Sequence, residues 1–347
     1  MPQRDPDRLM HSPARRALWR DARMQAIGAQ IIVVLVVALA LYGASAALQR
    51  SLVRRHISLD WRVFGQTAGF ELSALQWTLD LKTFRVKRFD PTSTNAEAMI
   101  AGLFNTVEVA VIGIVVATLL GTLVGIARLS RNWLVGKLAL GYVEAFRNTP
   151  LLVQLFFWYF AIFLQLPDGS PSHPPLQMWG GAIILTNSGL AVGATLVPRF
   201  GRLIAEGGYQ LTPELVALVI GLACYTSAFI AEIVRGGIQM VARGQMEAAR
   251  SLGLTYRQGL VFVVLPQVVR VIIPPLGNQF LNLTKNSSLA LGIGYAELLT
   301  AANTISSQSF RSLEVFTIVT LMYLGLSFAI SALLNLVRAR LALPGTI

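Results

Sequence analysis

Five polar residues follow a proline-interrupted apolar stretch: Asn278, Asn282, Lys285, Asn286 and Ser288. Asn278 and Asn282 stand four apart, so a helix puts them on one face, with Lys285 nearby. Two carboxamides and an ammonium can hold a small charged group by hydrogen bonds, but they break no bonds. The alternative, equally open, has Lys285 snorkelling to an interface and the Asn pair joining helices. No catalytic motif accompanies them. The chain has no G-x-x-x-x-G-K-[ST] phosphate loop, no HExxH, no G-x-S-x-G and no paired-cysteine motif. Its one cysteine, Cys224, lies in an apolar run and reads as a small packing residue. His11, His56 and His173 are too scattered for a metal cluster. The expectation is a chain that binds and passes something, with no enzymatic step and no cofactor.

The elements that must position these residues are membrane helices. Of the 347 residues, 54% are hydrophobic and only 13% charged, against about 25% charged in a soluble domain. Several long apolar runs complete the signature of an all-α polytopic membrane protein in a lipid bilayer. The net charge of +12 does not indicate nucleic acid, because much of the excess flanks apolar spans, where basic residues fix orientation.

Between two of those runs lies a half-polar stretch, Gln245–Pro266. Glu247, Ala248, Ala249 and Leu252 extend one short helix, and Gly253 suits a position that needs φ > 0. Thr255 reads as the N-cap of a second helix, with Gln258 completing a capping box. That helix carries Leu260, Val261, Val263, Val264 and Leu265 to Pro266, where a new segment is expected to start. A helix-turn-helix held between spans is a docking surface.

The spacing is Glu247-Ala248-Ala249, three residues, Gly253, nine residues, then Val263-x-Leu265-Pro266. It resembles the EAA loop of ABC-importer permeases, EAA-x3-G-x9-I-x-LP, with Val for Ile. The flanks narrow the resemblance: Phe146-Arg147-Asn148-Thr149-Pro150-Leu-Leu-Val-Gln154, then Ala231-Glu232-Ile-Val-Arg235-Gly-Gly-Ile-Gln239 leading to Gln245. These are similar to the polar amino-acid branch (histidine, glutamine, glutamate, arginine) of type I importer permeases, and most to general L-amino-acid permease subunits. The resemblance covers about Gly102 to Arg340. It implies a five-helix type I permease core with one extra N-terminal transmembrane helix. It also implies a cytoplasmic ABC ATPase subunit docked on the EAA loop, a second permease subunit making a heterodimer, and a periplasmic amino-acid-binding protein. In that family the loop residues Glu247, Ala248, Ala249, Gly253, Leu265 and Pro266 couple to the ATPase. The implied place is a bacterial inner membrane.

With the loop cytoplasmic, the chain reads as follows. A basic tail, 1–26, precedes a transmembrane helix, 27–48, longer than the about 7–15 residues of a signal-peptide core. Residues 49–100 form a polar periplasmic loop. Its basic residues oppose the positive-inside rule, but that rule applies best to short loops. The core, 101–340, starts with a span from Ala101 to Ile126, in which Glu108 either reaches water near the outer interface or faces a cavity. Leu138–Phe146 lies along the inner surface. Thr149 as N-cap and Pro150 at the first helical position open a span over Leu151–Leu166. A periplasmic insertion, 167–211, follows, and its apolar window Met178–Val197 is expected not to cross. Related permeases carry an Asn-Arg-Gly element here, where this chain has Asn187-Ser188-Gly189. Thr212-Pro213-Glu214 starts the next helix cleanly. Val268–Leu283 is interrupted by Pro274, Pro275 and Gly277, which suggests a broken helix. The last span covers Leu313–Val337. Six spans then leave both termini cytoplasmic. A secondary amino-acid transporter is the main rival, but it would need a duplicated half and ionisable groups for ion coupling, and no duplication is visible.

Overall fold

The computed structural model describes residues 22–54, 58–72 and 77–341, so most of the basic tail lies outside it. The chain divides into two compact units, 1–59 and 60–347. The first holds α1 (Ala22–Arg54), whose stretch Gln25–Ser51 is apolar enough to cross a bilayer.

The second unit is a helical bundle. A 3-10 turn, Trp61–Gly65, and a hairpin of β1 (Trp77–Leu79) and β2 (Val86–Arg88) precede α2 (Asn95–Ala127). Thr94 caps α2 reciprocally with Glu97, so the first core helix begins at Asn95, a turn and a half before the expected residue 101.

Next, α3 (Trp133–Asn148) meets α4 (Leu151–Phe156) and its π-helical and 3-10 continuation to Gln165 at a bend of 106°. The helix expected along the inner surface therefore starts at Trp133, earlier than Leu138. Thr149 does not cap α4. Its hydroxyl donates back to Ala145 O at 2.8 Å, and Pro150 takes the cap position, with its carbonyl accepting from the Val153 and Gln154 N–H groups. Threonine at a helix end can reach the carbonyl four residues back, and here that bond wins.

Residues 176–211 are mostly strands. β3 (Leu176–Met178), β4 (Ile183–Thr186), β5 (Gly189–Val192) and, after the separate hairpin of β6 (Thr195–Arg199) and β7 (Arg202–Glu206), β8 (Tyr209–Leu211) appear in chain order. β3, β4, β5 and β8 make one antiparallel sheet. The segment returns the chain to the end it left. Tyr159 Oη, before it, donates to Glu214 Oε1, after it, at 3.0 Å.

α5 (Pro213–Met240) starts as its sequence predicts, with Thr212 Oγ1 accepting from Leu215 N–H. Then come α6 (Arg243–Ser251), α7 (Tyr256–Gly259), a π turn at Leu260–Val264 and α8 (Leu265–Asn286). The expected break does not occur: α8 is one helix through Pro266, Pro274 and Pro275. Each proline lacks an N–H donor, but packing continues across the gap, since Leu334 lies where a Cβ on Gly277 would stand, 2.9 Å away. α9 (Leu298–Ser309) and α10 (Ser312–Leu341) close the chain.

Contacts between helices set their directions. Gly121 meets Ile230 and Gly125 meets Val234, so α2 and α5 run parallel. Gly113 meets Leu283 and Gly237 meets Ile272, so α8 runs against both. Leu155, Leu218, Leu222, Ile230 and Leu283, all fully buried, fill the core. The two β-rich segments thus sit at one end of the bundle and the α6–α7 hairpin at the other. Five described helices are long and apolar enough to cross a membrane. Counting the bent pair over 133–165 as one span gives six.

Candidate functional site

The α6–α7 hairpin is held by its own backbone. Leu254 N–H donates to Ala249 O at 3.2 Å and Gly253 N–H to Arg250 O at 3.0 Å, both bonds of a Schellman ending. Gly253 has φ +82°, as that ending requires. Thr255 and Gln258 form the capping box that starts α7. Gly259 is a contact the sequence did not reveal: a Cβ there would stand 2.8 Å from Met246 Sδ and 3.4 Å from Ala249 Cβ, so the Met246 side chain would have to move aside. Gln267 Nε2 donates to Gln245 Oε1 at 3.3 Å across the hairpin's base.

The hairpin faces outward. Ala249 is buried inside it, while Glu247 and Ala248 are exposed. Leu252, Tyr256, Val261, Phe262 and Leu265 are exposed as well, with Pro266 half-buried at the hairpin's far end. The hairpin thus exposes a carboxylate and several large apolar side chains together with Arg250 and Arg257.

The family-motif residues join at the same end of the bundle. Glu232 on α5 pairs with Arg128 at the end of α2 and with Arg235 Nη2 at 2.8 Å, and Arg235 Nη1 donates to Gln239 Oε1 at 2.7 Å. The Arg147 guanidinium lies 5.1 Å over the Phe229 ring. Buried Gln154 Nε2 donates to Phe146 O and Thr149 O, closing the 106° bend around Pro150.

Of the five polar residues on and after α8, three share a face. Asn278, Asn282 and Lys285 are exposed along with Val271 and Pro274, one stripe at helical spacing. Asn286 is half-buried, and Ser288 Oγ donates to Lys285 O at 2.8 Å, so neither belongs to that stripe.

At the opposite end, two carboxylates behave differently from each other. Glu297, which the sequence did not mark, is fully buried and caps α9. It accepts from Leu299 N–H (2.7 Å), Thr300 N–H (3.0 Å), Thr106 Oγ1 (3.1 Å) and Tyr323 Oη (2.6 Å), tying α2, α9 and α10 together. Glu108 is half-buried and accepts from Tyr209 Oη at 2.7 Å. That bond, followed by burial, pushes the Tyr209 phenol up to about 12, so it stays a donor.

Residues 113–343 match the family described as binding-protein-dependent transport system inner membrane component. The chain is 34% identical to a general L-amino acid transport system permease protein of Rhizobium johnstonii, covering 94% of this chain and 95% of that one. It is 38% identical to a putative amino-acid ABC transporter permease protein of Escherichia coli, covering 72% and 79%. Among solved structures, one described as an amino acid ABC transporter with histidines superposes with a TM-score of 0.53 at 29% identity, covering 71% of this chain and 94% of that one.

Proposed function

The chain belongs to the family of binding-protein-dependent transport system inner membrane components, and we propose that it is one permease subunit of an ATP-driven amino-acid importer. The observation that carries this reading is the outward-facing hairpin with Glu247 and Ala248 at its surface, opposite the β-rich end of the bundle. The ATPase belongs to a separate subunit, which docks on that hairpin by helix-in-groove contact. Amino acids as the cargo rest on the transport named for the relatives. The binding protein delivers the amino acid at the β-rich end, which we assign to the periplasm. A second permease subunit, different in sequence, covers the exposed α8 stripe, and the path runs between the two. Asn278, Asn282 and Lys285 then line the path, where carboxamides and an ammonium bind the amino-acid carboxylate in passing.

In vesicles carrying the whole importer, uptake should require ATP and the binding protein. Asn282→Ala and Lys285→Ala should each slow uptake about tenfold, the scale of one hydrogen bond to a charged group, with the ATPase still assembled. Unchanged uptake in both variants would return these residues to scaffolding. Uptake driven by an ion gradient without ATP would overturn the importer reading itself.

Orientation is tested separately. A reporter active only in the periplasm, fused after Leu166, Arg202, Gly244 and Ser306, should read outside, outside, inside, outside. Arg128, Arg235 and Arg338 all lie at the hairpin's end of the bundle, as the positive-inside rule asks of the cytoplasmic side. A different result after Leu166 than after Arg202 would mean that the strand segment is threaded through the membrane, and the assignment of sides would fall.

A further inference from the structure

Glu108 is an acid within the apolar length of α2, and no ion pair reaches it among the described residues. A carboxylate on an apolar helix is costly unless it meets water, a proton or a cation. It borders a cavity of about 200 Å³ walled by Trp77, Asn105, Tyr209, Leu215 and Tyr295, at the end of the bundle away from the hairpin. Trp77 is half exposed, so the cavity opens towards solvent.

The cavity is selective in what it offers. Three of its polar side chains are committed: Tyr209 Oη donates to Glu108 (2.7 Å), Asn105 Nδ2 to Ala296 O (2.6 Å) and Gln210 Nε2 to Ala205 O (2.9 Å). The one charged group in the wall is a carboxylate, and it stands beside an indole and two phenol rings. A carboxylate guest would meet like charge at Glu108. An ammonium guest would meet an opposite charge and aromatic walls, the two features that recognise organic cations. The size suits an ammonium group and a few attached atoms rather than a drug-sized ligand.

We propose that this cavity is a binding subsite for the ammonium group of the incoming amino acid, with Glu108 as its acceptor and Trp77, Tyr209 and Tyr295 as its walls. It rests on the amino-acid importer reading above, and it divides recognition between two places. The ammonium is held at the outer mouth by Glu108, and the carboxylate is met later by the polar face of α8.

The test uses the complete importer in proteoliposomes, with ethylammonium as probe. The probe carries the ammonium without the carboxylate. Millimolar ethylammonium should inhibit wild-type uptake, Glu108→Gln should be insensitive to it, and Glu108→Gln should itself transport about tenfold more slowly with ATP hydrolysis retained. The amide still accepts from Tyr209, so the local hydrogen bond is preserved while the charge is lost. Tyr209→Phe keeps the carboxylate and should keep the inhibition, which provides a reading even where Glu108→Gln fails to assemble. Inhibition surviving in Glu108→Gln, or vanishing in Tyr209→Phe, would overturn the subsite. Wild-type uptake with wild-type speed in Glu108→Gln would overturn it alone. Absence of ATP-driven amino-acid uptake by the wild type would overturn the importer reading and the subsite with it.

Discussion

Glu247→Lys should abolish ATP-driven uptake while leaving the permease folded. Glu247 is exposed on α6, and exposed substitutions of this kind shift stability by about ±0.5 kcal/mol or less. Docking is another matter. Reversing a charge that becomes buried against a partner costs about 2–5 kcal/mol, or a factor of roughly 30 to several thousand in binding. The ATPase should therefore fail to co-purify with this variant, or should hydrolyse ATP without driving uptake. Gly253→Asp should give the same loss by a different route. At φ +82° a side chain strains the turn by about 1–2 kcal/mol, and any relaxation swings α6 relative to α7. Gly253→Ala, which strains the same φ without adding charge, should fall between wild type and Gly253→Asp. ATP-driven uptake at the normal rate in both Glu247→Lys and Gly253→Asp would end the coupling assignment.

What the sequence disclosed about this hairpin was local chemistry. Thr255 with Gln258, Gly253 at a positive φ, and Thr212 before Pro213 all act within four residues of themselves, and each is found where its spacing put it. Thr149 is the instructive exception. It had two local carbonyl and amide options, and the sequence could not say that Ala145 O would take its hydroxyl. The continuity of α8 was hidden for a different reason. Pro274 and Pro275 weaken a helix in isolation, but Leu276 and Gly277 are buried against neighbours that only tertiary packing supplies. The strands of 176–211 were hidden because mean hydropathy does not distinguish a β-rich segment from a helix. The signs were there in Gly189, Gly193, Gly201, Gly207 and Gly208, all with positive φ at or between strands. Of the polar set on α8, helical spacing separated Asn278 and Asn282 from the rest. It could not show that Asn286 and Ser288 leave the exposed stripe, because the helix tightens to 3-10 geometry after Asn286. The sequence marked Glu108 as facing water or a cavity but did not mark Glu297, because only the fold brings Thr106 and Tyr323 to it.

The α2–α5 contact is the part of the core least tolerant of added volume, and Gly121 should show it. Small residues recur every four positions along α2, at Gly113, Ala117, Gly121 and Gly125, and all four are buried. On α5, Ser227 and Ala231 meet that stripe. A Cβ on Gly121 would stand 2.7 Å from Ile230 Cβ and 2.8 Å from Ser227 O, and one on Gly125 would stand 2.7 Å from Ala231 O. Backbone oxygens on a helix cannot yield as a flexible side chain can, so the helices themselves would have to part. In lipid, helices associate through close packing rather than through a hydrophobic drive, and parting them removes the contact that holds the pair. Two effects then oppose each other in Gly121→Ala. Helix propensity favours alanine by about 0.8–1.0 kcal/mol, and overpacking typically costs about 1–3 kcal/mol. Gly325 on α10, with nothing within 4 Å of an added Cβ, isolates the first effect. Gly325→Ala should therefore leave the thermal midpoint of the purified permease unchanged or slightly raised. Gly121→Ala should lower it, by at most about 2–4 °C per kcal/mol, the scale of domains smaller than this one. Gly121→Val should prevent recovery of an assembled importer. A midpoint for Gly121→Ala at or above that of Gly325→Ala would mean that α2 and α5 do not approach as closely as their glycines allow.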